Sequence, residues 1–196
     1  MEAEYRSLHA RHLELSREAY LRTTTVDGGK SVIPLNANVL NSHLLLFTPA
    51  IEAVNRAVDS GDGVLRGPDG IMRNTAGASY LGFARSLEAR VKVKHIVFGA
   101  QDSVPRDILD GAGAILFVMR NADLKIWQLE YLERLHLDAA GRVPVILISN
   151  CGPYNLAGGK YGSLGVHIVT YEFTAEAFES AVKVMFGDEK VEEICL

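Results

Sequence analysis

The chain has 196 residues and a mass of 21.4 kDa, enough for one domain with a small extension at about 150 residues per domain. Hydrophobic residues make up 48% and charged residues 22%, an ordinary globular usage that excludes wholesale disorder. A net charge of -4 and a pI near 5.9 exclude binding driven by overall positive charge, so no nucleic-acid partner is expected.

Residues 2–22 carry Tyr5, Leu8, His12, Leu15 and Leu21 at helical spacing with charges between them, which predicts a helix packed on the domain or on a partner. The run YLRTTTV, the turn Asp27-Gly28-Gly29-Lys30 and the resumption at Ser31-Val32-Ile33 predict a β-hairpin, ended by Pro34. From Asn41 the pattern alternates. HLLLF (43–47) predicts a strand covered on both faces. Thr48-Pro49 then reads as a helix start, with Ile51, Val54, Ala57 and Val58 as its buried stripe. Residues 61–70 read as a loop, and 75–90 as a helix with Tyr80, Phe83, Ala84 and Leu87 inward.

The second half repeats the alternation. Strands are expected at 91–98, 114–119, 143–148 and 166–173. Helices are expected at 104–109, 123–137 (Ile126, Leu129, Leu132 and Leu135 inward) and 174–186 (Thr174 as cap; Ala177, Phe178, Ala181, Val182 and Met185 inward). Residues 150–165 read as a glycine-rich loop. Strands alternating with helices predict an α/β fold: a three-layer Rossmann-like domain with a mainly parallel sheet over 41–196. Residues 1–40 form an N-terminal helix and hairpin extension in this reading.

No apolar stretch approaches the ~20 residues that span a bilayer. The charged start lacks the apolar core of a secretory signal. The two cysteines, Cys151 and Cys195, make no disulfide framework, and Cys195 stands too near the end for prenylation. No membrane partner is expected, and a cytoplasmic location is. The zinc spacings CxxC and HExxH are absent, so no metal site is predicted. No cofactor can be assigned from the sequence.

Ligands in open α/β sheets bind beyond the carboxyl ends of the strands. That rule selects Gln101, Asp102 and Ser103 after the strand ending at Phe98. It selects Asn121 and Asp123, beside Arg120, after AILFVM, and Asn150, Cys151 and Gly152 after PVILIS. Taken singly, Ser103 and Asp123 also suit helix caps and Asn150 a turn. Cys151 follows an apolar strand and precedes Gly152-Pro153, which suits a nucleophile on a sharp turn, with Asp102 or Glu18 as acid partner. It equally suits an inert, partly buried thiol.

Gly29-Lys30-Ser31 ends like a phosphate-binding loop, but Thr24 stands where the motif needs Gly, and Pro34 follows too soon for a helix. The runs GAGAILFVMRNAD (111–123), VPVILISNCGPYNL (143–156) and TYEFTAEAFESAVKVMFG resemble the second half of a small GTPase. Asn150 matches the base-reading Asn, while Cys151 and Pro153 replace the Lys and Asp of that motif. The resemblance implies a degenerate G-like domain, without GTP binding, that holds a protein partner. GRVPVILISNCGPYNLAGG also resembles the nucleophile elbow of the DJ-1/PfpI-like cysteine proteins, although no His follows Cys151.

Three functions are therefore expected in turn. The first is a domain binding a small molecule, or acting as a small enzyme, at the strand-end rim. The second is a non-catalytic scaffold for a protein partner, with self-association into a homo-oligomer as a variant. The third is a hydrolase or redox protein using Cys151.

Overall fold

The computed structural model describes residues 2–28, 32–50, 77–139, 141–152 and 166–190. Its elements are helix α1 (Glu2–Thr23), β1 (Thr25–Gly28), α2 (Ala37–Leu40), β2 (His43–Pro49), α3 (Ala78–Glu88), β3 (Lys92–Phe98), β4 (Ala112–Arg120), α4 (Trp127–Ala139), β5 (Val145–Asn150), β6 (Val166–Val169) and α5 (Ala175–Phe186). A short 3-10 turn at Arg106–Ile108 leads into β4.

The six strands form one sheet in the order β1-β6-β5-β4-β2-β3. Strands β2 to β6 are mutually parallel, and β1 pairs antiparallel with β6. The chain leaves β2 for β3 on one side and returns to β4 on the other. The strand order therefore reverses between β2 and β4, as in flavodoxin-like sheets.

The apolar runs serve both faces because side chains alternate along a strand. Leu44, Leu46, Leu116, Val118, Ile146 and Ile148 pack with Tyr80, Phe83 and Leu87 of α3 and with Phe178 and Ala181 of α5. Leu45, Phe47, Ile115, Phe117 and Leu147 pack with Tyr131, Leu132 and Leu135 of α4. This is the three-layer α/β architecture that the alternation predicts.

Thr174 caps α5, its Oγ1 accepting from the Ala177 N–H at 3.3 Å, and the five side chains expected inward are buried. At the other end Gly187 adopts φ 75°, and the N–H groups of Gly187 and Asp188 close the last turn on Val184 and Lys183.

The helix expected at 104–109 is reduced to the 3-10 turn Arg106–Ile108, and four further expectations change. β1 does not fold back on Val32 and Ile33. Val32 and Ile33 lie in a turn, and β1 adds to the β6 edge, pairing Thr25 with Val169. Thr48-Pro49 does not open a helix, because β2 runs through Pro49 beside Phe98. Thr48 is buried and its hydroxyl meets His95 Nε2 at 2.8 Å. Helix α4 starts at Trp127, since the N–H groups of Leu124 and Lys125 bond to the Asn121 carbonyl in a separate turn. That shift leaves Ile126 60% exposed and turns Gln128 and Tyr131 inward instead. Last, β6 ends at Val169 instead of continuing to Phe173.

The helix expected after Thr48, the loop at 61–70, most of the glycine-rich loop and Cys195 lie outside the described residues.

Candidate functional site

The carboxyl ends of β4, β5 and β6 bring polar side chains into an otherwise apolar layer. Arg120 closes β4, and its Cα lies in register with Asn150 at the end of β5. Both fall on the α3/α5 face, two positions beyond Val118 and Ile148. The Arg120 guanidinium sits over the Phe173 ring, 4.1 Å from its centroid. Tyr80 of α3 meets Phe173 edge-on at 4.7 Å. Phe173 thus joins Arg120 and Tyr80 into one cluster, a cation–π contact on one side and an aromatic pair on the other.

Asn150 is fully buried. Its Nδ2 donates to Thr170 Oγ1 at 2.6 Å and to the Glu172 carbonyl at 3.2 Å. Those two acceptors fix the amide's orientation, since Oδ1 could donate to neither. Oδ1 itself has no hydrogen-bond partner, nor have Tyr80 Oη and Arg120 Nε, and all three atoms are buried. A buried polar atom without a partner costs about 1–3 kcal/mol. Three in one cluster at the end of a parallel sheet contrast with the core around them. Burial pushes the Tyr80 hydroxyl far above its usual range, against the pull of Arg120 and with a smaller push from Cys151, so it stays protonated.

Cys151 follows directly, exposed and left-handed at φ 67°. Gly152 continues the turn at φ 132°. A non-glycine residue at positive φ is uncommon and marks a bent exit from the strand.

The other expected residues stand elsewhere on the rim. Asp102 Oδ2 accepts the Gly99 N–H at 2.7 Å, a local turn after β3. The Ser103 carbonyl accepts the Tyr131 hydroxyl at 3.3 Å, on the α4 face. Burial, with Asp102 adding to it, pushes Tyr131 up to about 12. Gln101 and Asp123 are exposed, and Asn121 takes φ 51° to turn the chain toward α4. Since β3 is three strands from β5, the Gln101–Ser103 loop lies roughly 14 Å from Asn150, and the fold does not bring the two groups together.

Gln128 is a site-shaping residue that sequence periodicity missed. Its amide clamps the end of β4, accepting from the Arg120 N–H at 3.0 Å and donating to the Arg120 carbonyl at 2.9 Å. Tyr80 and Phe173 were legible only as apolar side chains.

Two grooves lie away from the cluster. One, of about 180 Å³, opens at the amino ends of β4 and β5 between Leu109 and Val143. The other, of about 340 Å³, runs between Ser103 and Leu137 and is crossed by the Arg106–Asp138 ion pair at 2.9 Å. Among the described residues no group of three or more His, Cys, Asp or Glu is arranged to hold a metal ion, and no helix is long and apolar enough to cross a membrane.

No protein-family model matches the chain, and no curated protein matches it. Solved structures do. A fungal multi-domain GH3 β-N-acetylglucosaminidase, described as containing a GCN5-related glucosamine N-acetyltransferase region, matches 94% of this chain with 18% identity and a TM-score of 0.67. A glycoside hydrolase family 3 β-N-acetylglucosaminidase from Paenibacillus sp. str. FPU-7 matches 91% with 17% identity and a TM-score of 0.66. A β-glucoside phosphorylase bound to 2FGlc matches 92% with 14% identity and a TM-score of 0.61. The chain spans only 19%, 31% and 30% of those three chains.

These matches overturn the resemblances to small GTPases and to DJ-1/PfpI-like proteins. Both rested on short runs such as AILFVM and PVILIS, which any strand covered on both faces of a parallel sheet will carry. The chain has the fold of an α/β portion of glycoside hydrolase family 3 proteins.

Proposed function

We propose that this α/β domain binds a small saccharide at the carboxyl ends of β4, β5 and β6, as the ligand-holding part of a glycoside-processing protein. The observation that carries the reading is the cluster of three buried, unpartnered polar atoms on Tyr80, Arg120 and Asn150. Donors and acceptors beside an aromatic ring are what a polyhydroxylated ligand needs. The glycosidase and phosphorylase names of the similar structures point to saccharides among small polar molecules. In this reading Cys151 is a wall of the site.

Calorimetric titration with N-acetylglucosamine and with glucose tests it. Saturable binding that weakens about tenfold in Tyr80→Phe, the loss of about one hydrogen bond, is expected. Absence of binding by both sugars and by the acidic sugar glucuronate, or binding that Tyr80→Phe leaves unchanged, contradicts it.

A second reading, self-association through α1, is favoured by Tyr5, Leu8 and Leu15, which are 69%, 52% and 52% exposed at helical spacing. Light scattering decides it: a concentration-dependent dimer that Leu8→Asp abolishes supports it, and a monomer at all concentrations refutes it.

A further inference from the structure

We infer that the ligand of the strand-end cluster is an acidic sugar, its carboxylate held by Arg120 and a neighbouring hydroxyl held by Asn150. This rests on the saccharide reading above and narrows it to a ligand class.

The argument starts from Arg120. Among the described residues no carboxylate lies within ion-pair distance of its guanidinium. Its backbone N–H and carbonyl are both taken by Gln128, so the end of β4 is fixed where the side chain leaves it. The guanidinium rests on Phe173 at 4.1 Å. Phe173 in turn contacts Tyr80 at 4.7 Å and Phe178 at 5.8 Å. The cation is thus positioned from two sides and partly withdrawn from water, while its Nε–H has no acceptor. An Arg presents Nε–H and one terminal N–H as a parallel pair of donors, the spacing of a carboxylate's two oxygens. A neutral hydroxyl would use only one of them.

Asn150 supplies the second half of the code. Because Nδ2 is committed to Thr170 and Glu172, Oδ1 is an acceptor only. It sits one strand away from Arg120 in direct register, about 5 Å across the ladder. A group satisfying Oδ1 must donate, which a carboxylate cannot do. The two ends of the cluster therefore ask for different chemistry: an anionic acceptor at Arg120 and a hydroxyl donor beside it. The protonated Tyr80 hydroxyl can serve either part. Contact with solvent comes through the half-buried Arg120 and the exposed Cys151. A sugar acid carries the carboxylate and the adjacent hydroxyl on one rigid ring.

The test uses three probes on the whole chain by calorimetry: glucuronate, its neutral isostere glucuronamide, and glucose. The expected result is glucuronate binding about tenfold to a hundredfold tighter than either neutral probe, the range of one charge-assisted hydrogen-bonded contact. In Arg120→Met that preference should collapse toward parity. Comparing glucuronate with glucuronamide on the unaltered protein reads the same quantity if that variant does not fold. Equal binding of all three probes overturns the carboxylate assignment and leaves the saccharide reading standing. A glucuronate preference that persists in Arg120→Met overturns the role of Arg120. Binding of none of the three removes this inference and the saccharide reading together.

Discussion

The two ends of the central strands are built on opposite principles. At the amino ends of β2 and β4 the backbone comes close to helix α2 at one position, Gly113. The register slips by one residue at Gly113, so that His43 faces Ala112 and Leu44 faces Ala114. A Cβ at Gly113 would stand 2.8 Å from the Val39 Cα of α2. The Asn36 side chain caps α2 there, accepting from the N–H groups of Asn38 and Val39. At the carboxyl ends of β4 and β5 the fold instead leaves three buried polar atoms without partners. One end is closed by satisfied backbone contacts. The other carries a local cost, which the proposed saccharide site would account for.

The largest expected effect sharpens this contrast through a polar pair that is satisfied. His167 of β6 is buried, and its Nε2 meets Ser149 Oγ at 2.8 Å, one residue before Asn150. Burial lowers its pKa from 6.5 to about 4, with Asp27 pulling weakly the other way. Above pH 6.5 the ring is neutral folded or unfolded and costs nothing. Below that pH the unfolded chain takes up the proton and the folded chain does not, so stability falls until the pH reaches about 4. The loss should approach about 3 kcal/mol across that window. Denaturant unfolding at a series of pH values measures it, and His167→Gln should flatten the slope.

Next comes Gly113→Ala, which places a methyl group against backbone that cannot swing aside. A loss of about 2–3 kcal/mol in denaturant unfolding is expected, because overpacking at a rigid contact costs that much. An unchanged midpoint would show that the amino end is looser than described. Gly187→Ala is smaller. Its φ of 75° disfavours any Cβ, and the new atom would meet Pro34 Cγ at 2.8 Å, where a ring can shift more easily than backbone. A loss of about 1–2 kcal/mol by the same assay is expected.

Much of this architecture is legible in the residues themselves. HLLLF, AILFVM and PVILIS announce strands covered on both faces, and Thr174 followed by the apolar spacing of α5 announces a capped helix. The antiparallel placement of β1 is not legible, because a short β-branched run before Asp27-Gly28 pairs equally well with a local or a distant edge. The helix start expected at Thr48-Pro49 moves for a related reason. A Thr-Pro pair suits a helix start, but tertiary pairing with β3 and the His95 contact extend the strand through it.

For the candidate site, the rule about strand ends selects a rim that includes Asn150, Cys151 and Gly152, next to the unpartnered cluster. It cannot tell that the Gln101–Ser103 loop belongs to an edge strand on the α4 face, since strand order is not written in local pattern. Nor can it show that Tyr80, read as one more apolar residue of α3, turns its hydroxyl into the same cluster as Arg120. That convergence depends on Phe173, whose place after β6 emerges only when the sheet is assembled.

The measurement closest to the central claim is the stability of Tyr80→Phe, read beside its sugar binding. A buried tyrosine hydroxyl with a protein partner contributes about 1 kcal/mol, and removing it lowers stability by that amount. The Tyr80 hydroxyl has none. Its removal is predicted to leave the unfolding free energy unchanged or slightly raised while saccharide binding weakens. A variant that loses about 1 kcal/mol or more and binds saccharide as before would show that the hydroxyl serves the fold, and would contradict the division of the two strand ends.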